Sequence, residues 1–169
     1  MRTSALAALA LVASGCGYRA GGRADLLPRN IRTIAVPAFA NGSTRYKLTE
    51  RLPAAITREL IRRTRYHVVP ERGEADAILD GIVHTYSSYP TVSDPATGRA
   101  VAVQLMVTVE LKLTDRASGG VLYHRNLEFR QRYEISTDQV AYFEESGPAL
   151  ERLSQDVART AVSAILEGF

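Results

Sequence analysis

The side chains best suited to chemistry are three histidines, His67, His84 and His124, and one nearby acid, Asp80. Asp80 and His84 stand four residues apart on a predicted strand, so they share a face at a separation of about 13 Å, which is too far for a hydrogen bond. The sequence has neither a glycine-rich phosphate loop nor a G-x-S-x-G nucleophile elbow. We therefore expect no enzyme activity, no metal and no cofactor, and we interpret His67 and His124 as solvated or partly buried strand residues.

The single cysteine, Cys16, has a clear chemical context. It follows one basic residue, an apolar run of about nine residues and the small residues Ala13, Ser14 and Gly15, as in a secretory signal peptide. A membrane-spanning helix would need ~20 apolar residues. The segment is similar to the lipobox of bacterial lipoproteins, although Ala13 stands where that motif usually has leucine. The similarity implies cleavage before Cys16, a diacylglyceryl thioether on its sulfur and acylation of the new amine; the alternative is a cleaved signal with an unrelated cysteine beside it.

Length and composition limit what the rest of the chain can be. Its 169 residues are enough for about one domain, and 46% hydrophobic with 23% charged residues is typical of a globular protein. The formal net charge of +3 is too small to indicate a nucleic-acid-binding protein. We expect residues 1–15 to be a signal peptide, residues 16–25 a flexible tether and residues 26–169 a single domain.

Two amphipathic helices are predicted. Apolar residues recur every four positions over residues 48–63, with Ile61 beside this stripe and Glu59 largely off it. Pro53 fits a helix only near its first turn, so the regular part should begin near Thr49 or later. A second apolar stripe predicts a closing helix over residues 144–169.

The strands are predicted from alternation and turn signals. Residues 101–114 alternate strictly, and the loop at residues 115–120 returns them into a strand over residues 121–135, as in a sheet that is covered on one side. Gly81 indicates a bulge or a close approach. Further strands are predicted over residues 31–39, 66–69 and 77–89, with a turn at 40–45 and a loop at 90–98. The predicted fold is α+β, a two-layer sandwich of two helices packed on one mixed β-sheet.

Arginine dominates the basic residues, since Lys47 and Lys112 are the two lysines of the chain. One interpretation is a solvated surface that keeps a small protein soluble. The other is a site for phosphate groups, because guanidinium forks match phosphate geometry. The arginines in question lie on the first predicted helix and its end (Arg51, Arg58, Arg62, Arg63, Arg65) and on the last strand, where Arg130 and Arg132 share the polar face with His124 and Arg125 lies on the other face.

The sequence resembles the LptE family of lipopolysaccharide-assembly lipoproteins over nearly the whole mature chain. The order and spacing of several segments carry the resemblance, rather than any one of them. These segments are Cys16-Gly17-Tyr18, IRTIAVPAFANGS at residues 31–43, LTERLPAAITRELIRRTRYHVV at 48–69, EADAILDGIV at 74–83, VTVELKLTDRASGGVLYHRNLEF at 107–129 and ALERLSQDVARTAVSAILEGF at the end.

The resemblance implies both a fold and a partner. The fold is two helices on a mixed sheet, and the partner is a large outer-membrane β-barrel that inserts lipopolysaccharide into the outer leaflet, with the lipoprotein inside it as a plug that also helps it fold. Lipopolysaccharide itself would bind basic groups of the sheet, for which Arg130 and Arg132 are the candidates. The lipid on Cys16 would hold the protein at the outer membrane facing the periplasm, because Gly17 rather than an aspartate follows it.

Two alternatives remain open from the sequence. A periplasm-facing lipoprotein of similar size could instead activate a cell-wall synthase or shape another export complex, since a fold does not fix a function. A membrane-anchored hydrolytic enzyme is the second alternative, and the lack of an acid–base pair within reach argues against it.

Overall fold

The computed structural model describes residues 27–43, 47–134 and 146–167. The predictions of a signal peptide over residues 1–15, a tether over residues 16–25 and a lipid on Cys16 lie outside these residues. Part of the predicted turn, the last residue of the predicted final strand and both ends of the predicted closing helix also lie outside them.

The described residues form one mixed sheet with two helices on one of its faces, which confirms the predicted α+β fold class. A short 3-10 turn spans Arg72–Glu74. The elements are β1 (Thr33–Ala35), β2 (Ala40–Asn41), α1 (Lys47–Arg63), β3 (His67–Val69), β4 (Ala77–Ser93), β5 (Ala100–Asp115), β6 (Val121–Glu134) and α2 (Ser146–Glu167).

The sheet combines a parallel and an antiparallel part. Its order is β3-β1-β4-β5-β6, with β2 also beside β4. β1 is parallel to β3 and β4, whereas β4, β5 and β6 form an antiparallel meander. Strands β1 and β2 pair only with the first half of β4. The second half of β4, with β5 and β6, therefore continues as a long three-stranded extension.

The two helices run parallel and cover the apolar face of the sheet. The Arg51 side chain donates to the Gly147 carbonyl near both helix starts, and Arg63 donates to Ser163 Oγ near both ends. Helix α1 packs near β3 and β4, and α2 packs near β6. The predicted apolar stripes are confirmed, because their residues are buried in one cluster with the inward side chains of β5. Among them are Leu48, Leu52, Ile56, Leu60, Leu105, Leu111, Leu153 and Ile165.

Helix α1 differs from its prediction at Pro53. The helix begins at Lys47, so Pro53 lies in its second turn, and the expectation that it must stand near the first turn was wrong. Proline removes the donor for the carbonyl four residues before it, here that of Thr49. The backbone N–H of Phe39 bonds to this carbonyl at 3.1 Å. A tertiary hydrogen bond thus replaces the missing helical one.

Two side chains of α1 lie on faces that were not predicted. Glu59 is buried, with 8% exposed, and its carboxylate contacts Arg62 Nη2 at 2.8 Å and Arg63 Nη1 at 3.7 Å. Ile61 is 55% exposed. The contact with α2 moves the buried face of α1 toward Glu59 and away from Ile61, a shift that the periodicity of one helix cannot reveal.

The first and third strands differ in length from their predictions. The predicted strand over residues 31–39 is regular only at Thr33–Ala35, and β2 lies inside the predicted turn. Strand β4 continues through Pro90 to Ser93, where a loop was expected. The backbone N–H of Asp94 donates to the carbonyl of Arg99 at 2.8 Å and closes the hairpin. This part of β4 is exposed, so no burial pattern marked it as a strand.

The sequence left two possibilities for Gly81, a bulge or a close approach, and the structure has both features at different residues. Gly81 is a site of close approach, against the ring of Phe39. The bulge lies at His84, where the pairing with β5 shifts between Val83 and Thr85. An extra residue reverses the alternation of a strand. The buried positions of β4 therefore change from Leu79 and Val83 before the bulge to the partly buried Tyr86 after it.

Candidate functional site

The face of the sheet turned away from the helices carries the polar positions of the alternating strands. We call it the open face. It carries the even-numbered residues of β5 from Gln104 to Lys112 and their neighbours on β6. The strictly alternating pattern of β5 is confirmed, because Val107, Val109 and Leu111 are fully buried on the opposite side.

Arg130 and Arg132 lie on the open face near the far end of β6. Arg130 is opposite Met106, and Arg132 is opposite Gln104. Both arginines are exposed. On β4, Tyr89 is opposite Gln104 and so belongs to the same end of the open face. Two guanidinium groups, an aromatic ring and a methionine are thereby brought to one stretch of the extension.

The two arginines differ in their partners. Arg130 Nε donates to Glu128 Oε1 at 2.9 Å, and Nη2 lies 2.7 Å from the same oxygen. The hydrogen bond raises the pKa of Arg130 further above its usual value. Arg132 makes no ion pair within the described residues. Water and salt screen an exposed ion pair, which therefore contributes little to stability, so Glu128 can yield to a stronger anion. Arg132 is nevertheless the more readily available cation.

A second cluster on the open face brings together His84 and His124, which no sequence pattern had connected. Glu110 Oε2 lies 2.6 Å from His84 Nε2, and Glu110 Oε1 lies 2.8 Å from His124 Nε2. The hydrogen bond with His84 and then that with His124 hold the pKa of Glu110 below its usual value. We call these residues the histidine–glutamate cluster.

The sequence contained part of the signal for this cluster. The predicted alternation places Glu110 and His124 on the polar face of paired strands, and the observed register sets them diagonally, a distance that long side chains bridge. His84 could not be placed, because its position depends on the bulge. Asp80 pairs with Arg72 at 3.2 Å and not with His84, in line with the predicted separation.

The histidine–glutamate cluster is open to solvent. The side chains of His84 and His124 are 42% and 52% exposed, so solvent reaches the cluster freely. No group of histidine, cysteine and acidic side chains in the described part of the chain fits a metal ion. His67 lies exposed on β3, away from this cluster.

The arginines of α1 have a structural role that the sequence did not reveal. Arg51, Arg58 and Arg63 each reach across to α2, where Arg58 pairs with Glu151 at 3.2 Å. Arg62 is held by Glu59 on its own helix. These side chains fasten the helices to each other, so most of the arginine run is neither a free solvated surface nor a vacant phosphate site.

The helices that the structure describes are too short or too polar to cross a bilayer.

Comparisons with known proteins give one family match and several solved structures of the same fold. The family model LptE, described as lipopolysaccharide-assembly, matches residues 31–165. No curated protein matches the sequence.

Solved structures show the same architecture. A hypothetical protein from Chlamydia trachomatis gives a TM-score of 0.56 at 12% identity, covering 79% of this chain and 95% of that one. Uncharacterized lipoprotein B from Nitrosomonas europaea gives 0.52 at 15% identity, covering 83% and 91%. The PelC dodecamer from Paraburkholderia phytofirmans gives 0.52 at 18% identity, covering 79% and 90%. At such identities the likeness shows the fold alone.

Proposed function

The chain belongs to the LptE lipopolysaccharide-assembly family, and we propose that it is an outer-membrane lipoprotein that plugs, and helps to assemble, the β-barrel translocon for lipopolysaccharide. It acts without catalysis. The observation that carries this proposal is the family match over residues 31–165, which contains every strand and nearly all of both helices.

The architecture supports a role as a plug. A plug must keep its shape while polar surfaces meet the wall of the barrel, so its core has to be complete within one chain. Here the helices and the sheet share one buried cluster, in which Leu52, Leu111 and Leu153 are at most 1% exposed. Their burial stabilises the fold by ~1.5–3 kcal/mol for each side chain. The open face and the long extension remain available to a partner.

The anchor and the domain boundaries belong to the same proposal. Residues 1–15 are removed as a signal peptide, Cys16 carries the acyl chains, and residues 16–25 link it to a domain over residues 26–169. Several acyl chains on one residue give stable membrane attachment, whereas a single chain gives only marginal binding. The protein then faces the periplasm from the outer membrane.

Lipopolysaccharide binds the open face in this proposal, through Arg130 and Arg132. Guanidinium groups bind phosphate through paired hydrogen bonds. Tyr89 and Met106 lie beside them and add apolar contacts for a ligand that carries sugars and acyl chains.

Purification of the full lipidated chain from outer membranes tests the proposal. A large β-barrel should co-purify with it in a constant ratio. The Cys16→Ser variant is the control, because it separates loss of the anchor from loss of the plug contact. Purification of the lipidated protein without any barrel would contradict the proposed function.

The alternative is a periplasm-facing scaffold that activates a cell-wall synthase or shapes another export complex. It is favoured by the likeness to PelC, a dodecamer, because the same fold there forms a different kind of assembly. Depletion of the protein distinguishes the two. Loss of surface lipopolysaccharide supports the translocon plug, and normal lipopolysaccharide with altered peptidoglycan supports the scaffold.

A further inference from the structure

A groove with a volume of about 490 Å³ lies where the described chain begins. Its floor is formed by the apolar parts of three buried residues, Leu27, Ile31 and Tyr66. Three exposed arginines, Arg29, Arg32 and Arg65, surround this floor. We call it the arginine groove.

The walls of the arginine groove are fixed by hydrogen bonds. The backbone N–H of Leu27 donates to Tyr66 Oη at 3.1 Å and joins the first described residue to the segment between α1 and β3. The Ile31 N–H donates to the Pro28 carbonyl at 2.9 Å and forms a tight turn. The groove is therefore preformed, which reduces the ordering that a ligand would have to impose.

The arginines of the groove are not paired with carboxylates in the described part of the chain. None of its three arginines forms an ion pair or a side-chain hydrogen bond with the described residues, whereas Arg58, Arg62 and Arg130 all pair with carboxylates.

One acid lies close to the groove, and its oxygens are directed to the backbone. Asp76 Oδ2 accepts the backbone N–H groups of Arg32 and Thr33 at 2.9 and 3.0 Å. Its charge also attracts Arg116 and Arg32 electrostatically, although its hydrogen bonds go to the backbone N–H groups and not to the Arg32 side chain. Three cations around an apolar floor match an amphiphile whose head is anionic.

We propose that the arginine groove binds the phosphate of an anionic phospholipid at the membrane surface, as a second attachment point beside the lipid anchor. This inference rests on the proposed lipid on Cys16. Eleven residues lead from Cys16 to Leu27, a length that spans at most ~40 Å. The anchor thus keeps the groove near phospholipid headgroups, and guanidinium forks fit their phosphates.

The arginine groove is separate from the proposed lipopolysaccharide site. Residue Asp76 beside the groove adjoins the start of β4, and β6 begins at that same end of the sheet. Arg130 lies nine residues along β6 from Val121, a distance of ~30 Å. One end of the molecule is therefore assigned to the membrane surface and the other to the transported ligand.

Vesicle sedimentation tests the groove. The full Cys16→Ser chain removes the acyl anchor from the measurement, and the vesicles contain phosphatidylglycerol or, for comparison, phosphatidylcholine alone. Replacing Arg29, Arg32 and Arg65 by glutamine should reduce binding to phosphatidylglycerol vesicles at least about tenfold. Replacing Arg99, Arg125 and Arg152 by glutamine changes the net charge equally and should leave binding within about twofold.

Other outcomes overturn the inference. Equal losses in the two triple variants would mean that only net charge attracts the protein. Loss of binding to lipopolysaccharide micelles with unchanged binding to phosphatidylglycerol would assign the groove to lipopolysaccharide. Circular dichroism shows whether the groove variant is folded. Arg65→Lys is a milder second variant, which keeps the charge but loses the paired N–H groups of the guanidinium. It should bind more weakly than the unchanged chain.

The same groove variant separates this inference from the proposed function. With Cys16 restored, it should still co-purify with the barrel, because its open face is intact. If the groove variant co-purifies with the barrel and binds vesicles as well as the unchanged chain does, only the groove inference is refuted. If the protein with an unchanged groove does not co-purify with the barrel, only the proposed function is refuted.

Discussion

The ring of Phe39 lies where a side chain at Gly81 would have to be. A Cβ on Gly81 would come within 2.5 Å of ring atoms Cδ2 and Cε2. Phe39 is 4% exposed, so its ring has little room to move. This contact fixes the segment between β1 and α1 against the middle of β4. Glycine is required here for space and not for backbone conformation, since its φ is not positive.

Gly81→Ala should lower the free energy of unfolding by about 1–3 kcal/mol, because the added methyl group overpacks the contact with Phe39. Urea unfolding measures the change. Gly73→Ala is the matched control, since a Cβ there would meet nothing within 4 Å, and it should change stability by less than about 0.5 kcal/mol. A Gly81→Ala protein as stable as the unchanged chain would refute the steric explanation.

Tyr123→Phe should raise the free energy of unfolding by about 1 kcal/mol. The Tyr123 hydroxyl is buried without a hydrogen-bond partner in the described chain, and burial raises its pKa. Burying this hydroxyl costs free energy that no hydrogen bond offsets, and phenylalanine avoids that cost. Tyr66→Phe provides the contrast, because the Tyr66 hydroxyl accepts the Leu27 N–H and its loss should destabilise the protein. Thermal denaturation of both variants compares them, and destabilisation by both would contradict the prediction.

The histidine–glutamate cluster predicts a stability effect at acidic pH. The lowered pKa of Glu110 means that the folded state holds the carboxylate more strongly than the unfolded state does. Its contribution is present above the unfolded value of about 4.5 and is lost as the pH falls through the lower, folded value. The difference in unfolding free energy between the unchanged protein and Glu110→Gln should therefore shrink from pH ~4.5 downward.

The histidines provide the control for this pH dependence. In a His84→Ala/His124→Ala background, Glu110→Gln should give a difference that varies little over the same acidic range, because the hydrogen bonds that lower the pKa are gone. Urea unfolding between pH 3 and pH 5 is the measurement. An acid-dependent difference of the same size in both backgrounds would show that the cluster is not its cause.

Arg132→Ala should weaken lipopolysaccharide binding more than Arg130→Ala does. Arg132 has no ion pair among the described residues, whereas Arg130 must first release Glu128. A charge-assisted hydrogen bond contributes ~1.5–3 kcal/mol, so the loss at Arg132 should be about tenfold or more. Arg125→Ala, on the same strand but the opposite face, should bind normally. Calorimetric titration with lipopolysaccharide provides the affinities.

The double substitution of Arg130 and Arg132 by glutamate should abolish this binding while leaving the fold intact, because both side chains are exposed. Unchanged affinity in the double variant would mean that these arginines are only a solvated surface.

Helices and strands that bury one face and expose the other could be predicted from the sequence. The stripe from Leu48 to Leu60 and the alternation around Val107 reflect a single apolar environment, and a local pattern suffices to find it. Strand β2 and the end of β4 were not predictable, because their strand state depends on a neighbour and not on burial. The same holds for Glu59, whose burial depends on α2.

The candidate site shows the same division. Arg130 and Arg132 lie on the polar face as expected, because the hairpin fixes their alternation. The contact of His84 with Glu110 was missed, since it needs the position of the bulge. The partners of Arg51 and Arg63 were missed as well, because they lie on a helix about a hundred residues later in the chain.

The extra residue at His84 has an evolutionary consequence. It joins two stretches of β4 in which the inward-facing residues are odd-numbered before the bulge and even-numbered after it. Ile82 and Ser87 therefore lie on the same face although five positions separate them. Deletion of His84 would remove the bulge and leave Val83 and Thr85 in regular alternation, with Tyr86 still in the apolar layer and Ser87 still on the open face. A relative that lacks the extra residue would therefore keep both faces of the sheet and lose the contact of His84 with Glu110. Presence of the bulge should accordingly vary together with the histidine–glutamate cluster and not with the core.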